Sequence, residues 1–286
     1  MTFRRIARSS ADYPPLLQKI PDPPPSLWLR GDADPEILTR TSLAVVGARA
    51  CSTYGRGVAR SLAREASACG AVIVSGLARG IDGEAHRGAL ESAGVTIAVL
   101  GCGIDRDYPS AHAELAQRIV AAGGLVVSEY EPGIEPAPWR FPARNRIIAG
   151  LTRATVVVEA RERSGALITA DFALEDGREV LAVPGEITSG LSVGTNALLR
   201  LGATPVTCVA DILEALGLEQ PVAKAPEVVG DGALVLEALT TGESSVDQLT
   251  RATGLPPAAI SAALTALELD GRVSSGEGAY RSTIAR

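Results

Sequence analysis

Between residues 43 and 183 the chain alternates two kinds of apolar pattern. Short unbroken runs rich in Val, Ile, Leu and Ala lie at 43–47, 71–75, 95–100, 125–128, 155–159 and 180–183. Longer stretches with helical spacing separate them, among them 54–69, 82–93, 111–122 and 166–176. A run that is apolar without alternation suits a strand buried on both faces. Strand and helix repeated in turn predict an α/β fold with an open, doubly wound, mostly parallel sheet. Ligands of such sheets bind at the carboxyl ends of the strands. The loops that leave each run are therefore where chemistry is expected.

The pattern changes on either side of this core, which spans 43–217. Residues 1–42 carry Pro14, Pro15, Pro21, Pro23, Pro24 and Pro25. Proline in a helix interior or central strand removes a needed N–H, so this segment reads as an extended, proline-rich arm packed on the core, with Leu27 and Trp28 as anchors. Residues 218–230 hold Pro221, Pro226 and Gly230 without periodicity and read as a linker. Within 231–286, Leu234, Leu236 and Leu239 mark a helix, and Ser244 with Asp247 resembles a capping box that opens a second. Gly254 ends that helix. Pro256 or Pro257 starts a third, with Ile260, Leu264 and Leu267 on one face and Gly271 at its end. A hairpin around Gly276 and Gly278 would complete a small winged-helix domain.

Composition narrows the class. Aromatic residues make up 3% of the chain, so the core is aliphatic. No apolar run approaches the ~20 residues of a membrane span, and residues 1–10 lack the apolar segment of a secretory signal. A cytoplasmic protein without membrane contact is expected. Cys51, Cys69, Cys102 and Cys208 form no Cys-x-x-Cys pair, and His86 and His112 are the sole histidines. The cysteines read as reduced thiols, with no metal site. The formal net charge is −6, yet residues 1–64 hold nine arginines and Lys19 against five acids, and residues 140–163 hold six arginines against two. Residues 211–247 run the other way, with eight acids and Lys224. A local basic face can bind a polyanion whatever the total charge.

The loops carry candidate chemistry. After the first run come Gly47, Ala48, Arg49, Ser52 and Gly55. A glycine there lets backbone approach a phosphate, the next helix N-terminus offers free N–H groups, and Arg49 offers a guanidinium fork. No Gly-x-Gly-x-x-Gly follows, so a nicotinamide or flavin cofactor is not expected. The second run ends in Ser75, Gly76, Leu77, Ala78, Arg79, Gly80, Ile81 and Asp82, with His86 one helical turn on. Asp82 and His86 could pair, and without a nucleophile beside them they read as structural. The third ends in Gly101, Cys102, Gly103, Ile104 and Asp105, then Tyr108 and Pro109. Further on stand Trp139, Phe141, Arg144, Asn145 and Arg146, then Ser164, Gly165 and Thr169, and lastly Pro184 and Gly185. A single strand of DNA needs spaced cations for phosphates and flat surfaces for bases. Arg49, Arg79, Arg144 and Arg146 answer the first need, and Phe141 or Trp139 the second.

Taken together and in this order, these motifs resemble the DprA/Smf family of DNA-processing proteins. The resemblance spans about residues 13–216 and rests on 46–55, 75–86, 101–109, 141–151, 164–169 and 183–185. It implies a Rossmann-like core that binds single-stranded DNA and helps load the RecA recombinase in natural transformation, as a homodimer. Ala48 stands where the family commonly has Ser or Thr, which removes one possible phosphate hydrogen bond. Many members also carry an N-terminal helical domain, where this chain has its proline-rich arm. The expected DNA-binding set is Gly47, Arg49, Ser52, Gly76, Arg79, Gly101, Gly103, Phe141, Arg144, Asn145, Arg146, Ser164 and Gly165.

Two further expectations concern partners. The stretch 196–216 is rich in Leu and Val, and an apolar surface late in the domain marks an association site. The dimer interface is accordingly expected at Leu213 and Leu216. The third helix of the C-terminal unit, 258–270, carries Glu268 and Asp270 and no Lys, Arg, Asn or Gln. It suits protein contact or regulation better than reading a DNA groove. The competing class is a nucleotide-processing enzyme, since the core is distantly similar to the phosphoribohydrolases once called lysine decarboxylases. Their signature is Pro-Gly-Gly-x-Gly-Thr-x-x-Glu. Aligned on Thr169, this chain has Ile168 for the last glycine and Phe172 for the glutamate. Without that general acid/base, a non-enzymatic binding protein is expected.

Overall fold

The computed structural model describes residues 3–219, 230–239, 242, 244–269, 272–276 and 279–282. The chain divides into two compact units, Met1–Pro221 and Val222–Arg286.

The first unit opens with β1 (Phe3–Ala7), a single turn α1 (Pro15–Gln18) and β2 (Ser26–Arg30). The alternating core follows: β3 (Ser42–Val46), α2 (Thr53–Ala68), β4 (Val72–Ser75), α3 (Ile81–Glu91), β5 (Thr96–Leu100), α4 (Ala113–Ala121), β6 (Leu125–Ser128), α5 (Arg140–Gly150), β7 (Ala154–Val157), α6 (Gly165–Glu175), β8 (Glu179–Ala182), α7 (Val193–Arg200), β9 (Thr204–Pro205) and α8 (Val209–Leu216). Nine strands form one sheet in the order β1-β2-β6-β5-β4-β3-β7-β8-β9. From β6 to β9 every pairing is parallel. Every residue of β3, β4, β5, β6 and β7 is buried, which is why these runs read as apolar without alternation. One face packs Ala44, Val46, Ile97 and Val99 under α5 and α6. The other packs Leu43, Val45 and Ile73 under α2, α3 and α8.

The first forty-two residues differ from the arm expected of them. β1 and β2 pair antiparallel, and β2 pairs antiparallel with β6, so the segment extends the sheet by two strands. Leu27 and Leu29 are fully buried, Trp28 half so. The prolines are tolerated because none lies inside a strand. Pro15 starts α1, where its missing N–H has no helical partner to lose. Pro23, Pro24 and Pro25 precede β2, and the Pro24 carbonyl accepts a hydrogen bond from the buried Tyr13 hydroxyl at 2.8 Å. Burial pushes the Tyr13 phenol up to about 12.

Leu213 and Leu216 correct the interface expected at them. Each is 2% exposed and packs, with Ile212, into the same apolar cluster as Leu62, Ala63 and Ala66 of α2. The amphipathic stripe of α8 finishes the core of its own chain, as such stripes do in ordinary helices.

In the second unit, α9 (Asp231–Leu239), α10 (Val246–Thr253) and α11 (Pro257–Leu269) precede the antiparallel pair β10 (Val273–Gly276) and β11 (Ala279–Ser282). Val235, Leu239, Leu249, Ile260, Leu264, Leu267 and Val273 form its core. The capping box sits one residue later than expected. Ser245 accepts from Gln248 N at 3.3 Å, and the Gln248 side chain accepts from Ser245 N at 2.7 Å. Ser244 is instead paired with Tyr280, adding a bridge to the hairpin. Gly254 ends α10 in the left-handed conformation, as expected. Gly271, Gly278 and residues 220–229 of the expected linker lie outside the described residues.

Truncating Leu213 should act on folding rather than on assembly. Leu213→Ala is expected to lower the unfolding free energy by about 2–5 kcal/mol in urea titration, while light scattering returns the wild-type mass.

Candidate nucleic-acid interface

The sheet's topology places the site. The chain builds outward from β3 through β4, β5 and β6, then returns to the other side of β3 with β7, β8 and β9. At this reversal the helices diverge and leave a crevice beyond the carboxyl ends of β3 and β7, the position expected of a ligand site in a doubly wound sheet. The crevice has two lobes. The first, a cavity of about 300 Å³, is lined by Gly47 and Arg49 after β3, and by Arg161, Arg163, Ser164 and Gly165 after β7. Asn145 and Thr169 close it from α5 and α6. The second, about 470 Å³, lies beyond β4 and β5, between Gly76, Arg79, Gly101 and Tyr108. Arg49, Ala78, Phe141 and Arg144 line both lobes and form the ridge between them.

Two helix N-termini face this region, and they differ. At α2 the protein supplies its own anion. Ser52 N donates to the Glu159 carboxylate at 2.9 Å, Ser52 Oγ donates to the same carboxylate, and Gly55 N donates to Ser52 Oγ at 2.9 Å. Glu159 is buried, and its carbonyl oxygen also accepts from Ala48 N at 2.8 Å. Ser52 is thus a helix cap braced by Glu159, and no phosphate is needed there. At α6, Ser164 caps through Ala166 N at 3.3 Å, and Gly165 is exposed in the first lobe with open space around it. The helix N-terminus left open to an anion is therefore that of α6, flanked by three exposed arginines, Arg49, Arg161 and Arg163.

Arg144 differs from its expected role. It is 4% exposed and forms the floor of the ridge. Its Nη1 donates to the Val99 carbonyl. Its guanidinium occupies the space a Cβ on Gly76 would fill, which is why glycine follows β4. Burial pulls Arg144 down to about 10, against the attraction of Asp82, and it stays charged at neutral pH. Burial pushes the Asp82 carboxyl up, opposed by Arg144 and by hydrogen bonds from backbone, including Gly76 N at 3.1 Å. Asp82 and Arg144 are both buried beneath the crevice, and each feels the other's electrostatic influence.

Arg146 is turned away from both lobes. It is held by Glu129 at 2.7 Å and by Asp22 at 3.1 Å, tying α5 to the end of β6 and to the N-terminal segment. Gly103 lines neither lobe; Asp105 and the Glu131 carbonyl fill its surroundings. Trp139 is 71% exposed but also lines neither. Asp82 and His86 do not bond to each other: His86 Nδ1 meets Thr96 Oγ1 at 2.7 Å. Of the expected residues, the crevice brings together Gly47, Arg49, Gly76, Arg79, Gly101, Phe141, Arg144, Asn145, Ser164 and Gly165. Arg161, Arg163 and Tyr108 line the crevice as well but were absent from the expected DNA-binding set, although Tyr108 stood among the loop residues and both arginines in the basic stretch 140–163. The first two follow the carboxyl end of β7, so the rule applied to the earlier loops would have found them.

With this geometry in view, comparison with known proteins is decisive. Residues 4–217 match the family model of DNA recombination-mediator protein A, and residues 219–279 match the DprA winged helix domain. The chain belongs to the DprA family. The DNA processing protein DprA of Streptococcus pneumoniae is 48% identical over 205 residues, 70% of this chain and 70% of its own. The putative DNA processing protein DprA of Mycobacterium tuberculosis is 42% identical over 264 residues, 89% of this chain and 68% of its own. The X-ray structure of the Streptococcus pneumoniae protein superposes with a TM-score of 0.70 at 44% identity, covering 75% of this chain and 74% of that one. A Helicobacter pylori DprA structure, described for its single-stranded DNA binding mode, gives 0.68 at 30% identity, covering 76% and 96%. The Rossmann-like core and the C-terminal winged helix agree with the fold read from the pattern.

The buried histidine behind this floor makes stability depend on pH. Burial, with the charges of His112, Arg144 and Arg87, lowers His86 to about 3. The unfolded chain therefore binds a proton near pH 6.5 that the folded chain refuses, and stability present above that pH is lost as pH falls toward 3. Urea titrations at pH 7 and pH 5 should differ by about 2 kcal/mol from this group. His86→Gln should remove that difference; a difference unchanged in the variant would assign it to other groups.

Proposed function

We propose that this chain binds single-stranded DNA in the two-lobed crevice and acts without catalysis as a recombination mediator. In this reading it protects incoming strands in the cytoplasm and helps load a RecA recombinase during natural transformation. The observation that carries the reading is the cluster of Arg49, Arg161 and Arg163 around the open N-terminus of α6, with Arg79 beyond the ridge. Cations spaced along a groove, with aromatic rings beside them, suit a strand whose bases are unpaired. The family assignment supports the same ligand, as does the single-stranded DNA binding mode described for the Helicobacter pylori relative. Against a phosphoribohydrolase stands Phe172, half-buried and packed on the core where that class needs its glutamate. Release of free base from nucleoside monophosphates would overturn the non-catalytic reading.

Mobility-shift titrations across salt, with single-stranded and duplex DNA of equal length, test the ligand. Tighter binding to the single strand is expected, and equal or tighter duplex binding would overturn it. Arg49→Ala and Arg163→Ala should each lower the log–log salt slope by roughly 0.7. Arg144→Ala should instead cost stability, because it empties a buried site and removes the donor to the Val99 carbonyl.

The protein is further proposed to be a homodimer joined along the sheet edge at β9. Thr204 and Pro205 are exposed there, and Leu201 beside them is 84% exposed. An open edge and an exposed leucine suit a two-fold contact. Light scattering at micromolar concentration should give twice 29.4 kDa, and Leu201→Arg should halve it with the circular dichroism unchanged. A monomeric wild type would refute the dimer.

A further inference from the structure

A cavity of about 330 Å³ lies between the end of β2 and α4, and it shares no lining residue with either lobe of the crevice. Arg30, Gly31 and Asp32 wall it on one side, and Ala116, Gln117, Val120 and Ala121 of α4 on the other. Gly31 has a φ of +122°, and a Cβ there would lie 2.9 Å from the Gly124 carbonyl oxygen. Glycine lets the chain pass this close to the turn that joins α4 to β6. Arg4 donates to the carbonyls of Gly31 and Ala33, so this wall is fixed from behind.

Arg30 gives the cavity its chemistry. Side chains alternate between the faces of a strand. Leu29 packs on the α5 and α6 side of the sheet, so Arg30 stands with Trp28 on the α4 side. Its side chain is 6% exposed. Asp107 Oδ1 lies 2.8 Å from its Nη2, an ion pair without the geometry of a hydrogen bond. Nε also has no hydrogen-bond partner among the described residues. Buried N–H groups are nearly always satisfied. A buried guanidinium with donors to spare, at the wall of a cavity, marks a place for an acceptor from outside the chain.

The remaining walls define the ligand. Ala116, Val120 and Ala121 offer an apolar surface to a short aliphatic chain. A planar pair of acceptor oxygens matches the guanidinium fork. Asp32, exposed at the wall, and Asp107, already beside Arg30, oppose any second negative charge on the ligand. That favours a carboxylate over a doubly charged phosphate. We propose that this cavity binds a small aliphatic carboxylic acid as its monoanion, with the carboxylate on Arg30 and the chain along α4. The site is separate from the crevice and does not depend on the single-stranded DNA reading.

Hexanoate serves as the probe and 1-hexanol as its uncharged counterpart. Each is titrated onto the full-length protein at neutral pH and followed by saturation-transfer NMR. Hexanoate should bind saturably, and at least about tenfold more tightly than 1-hexanol. Arg30→Met should remove that preference. Ala121→Trp, at an exposed position and chosen to fill the cavity, should abolish hexanoate binding with the circular dichroism unchanged. The test therefore stands even if Arg30→Met does not fold. Arg49→Ala, in the crevice, should leave the hexanoate affinity unchanged. Absence of saturable binding to the wild type would overturn the site and leave solvent as the partner of Arg30. Equal affinities for hexanoate and 1-hexanol would overturn the role of its charge, and the proposal with it. Binding that survives Ala121→Trp, or that is lost in Arg49→Ala, would move the ligand elsewhere and overturn the site as well. None of these outcomes bears on the single-stranded DNA reading.

Discussion

The reversal of the sheet at β3 is the constraint on which the rest depends. A parallel strand must be reached by a crossover, and right-handed crossovers built in opposite directions put their helices on opposite faces. The helices that leave β3 and β7 therefore part at the carboxyl ends of these strands, and neither can cover the gap. Gly47, Arg49, Arg161, Arg163 and Ser164 sit in that gap because of where their strands end. No local property of these residues would place them together.

An open crevice in a sheet this buried requires a rigid floor, and the floor is electrostatic. Arg144 and Asp82 are both buried, and each is displaced from its ordinary proton affinity by burial. Losing Arg144 would remove the attraction that opposes burial at the Asp82 carboxyl. Glu159 does the same work on the next loop. Its carboxylate satisfies the N-terminus of α2 and fixes the segment that carries Arg49. One helix N-terminus is thereby closed with a protein anion while that of α6 stays open. Arg49, Arg161 and Arg163 gather in the first lobe despite a net charge of −6 for the whole chain.

The N-terminal segment bears on the same site from the far side of the sheet. β2 sends Arg30 to Asp107, and Asp22 and Glu129 hold Arg146 at the base of α5. Both contacts lead to elements that line the crevice, the loop of Tyr108 and the helix of Phe141 and Arg144. Strands added at a sheet edge thus act as a brace for groups that sit over its middle.

Much was legible in the linear pattern. The buried runs, their alternation with helices, the glycines at strand ends and the winged-helix unit follow from local rules, since periodicity reports burial and glycine reports close approach. The sequence determined that Gly47, Arg49, Gly76 and Phe141 lie at the ends of elements where ligands bind. Only the tertiary structure decided which cations face the crevice. Arg49, Arg144 and Arg146 look alike in the sequence, yet one is exposed, one is buried over Asp82, and one is paired with Glu129 and Asp22. The same holds for Leu213 and Leu216, whose stripe fits a partner or the chain's own α2 equally well until the packing is seen, and for β2 and β6, whose pairing joins residues far apart in the chain, Trp28 with Ser128. Charge and apolar periodicity are properties of a residue and its neighbours. Exposure and pairing depend on what long-range packing brings opposite, and that information lies in no single segment.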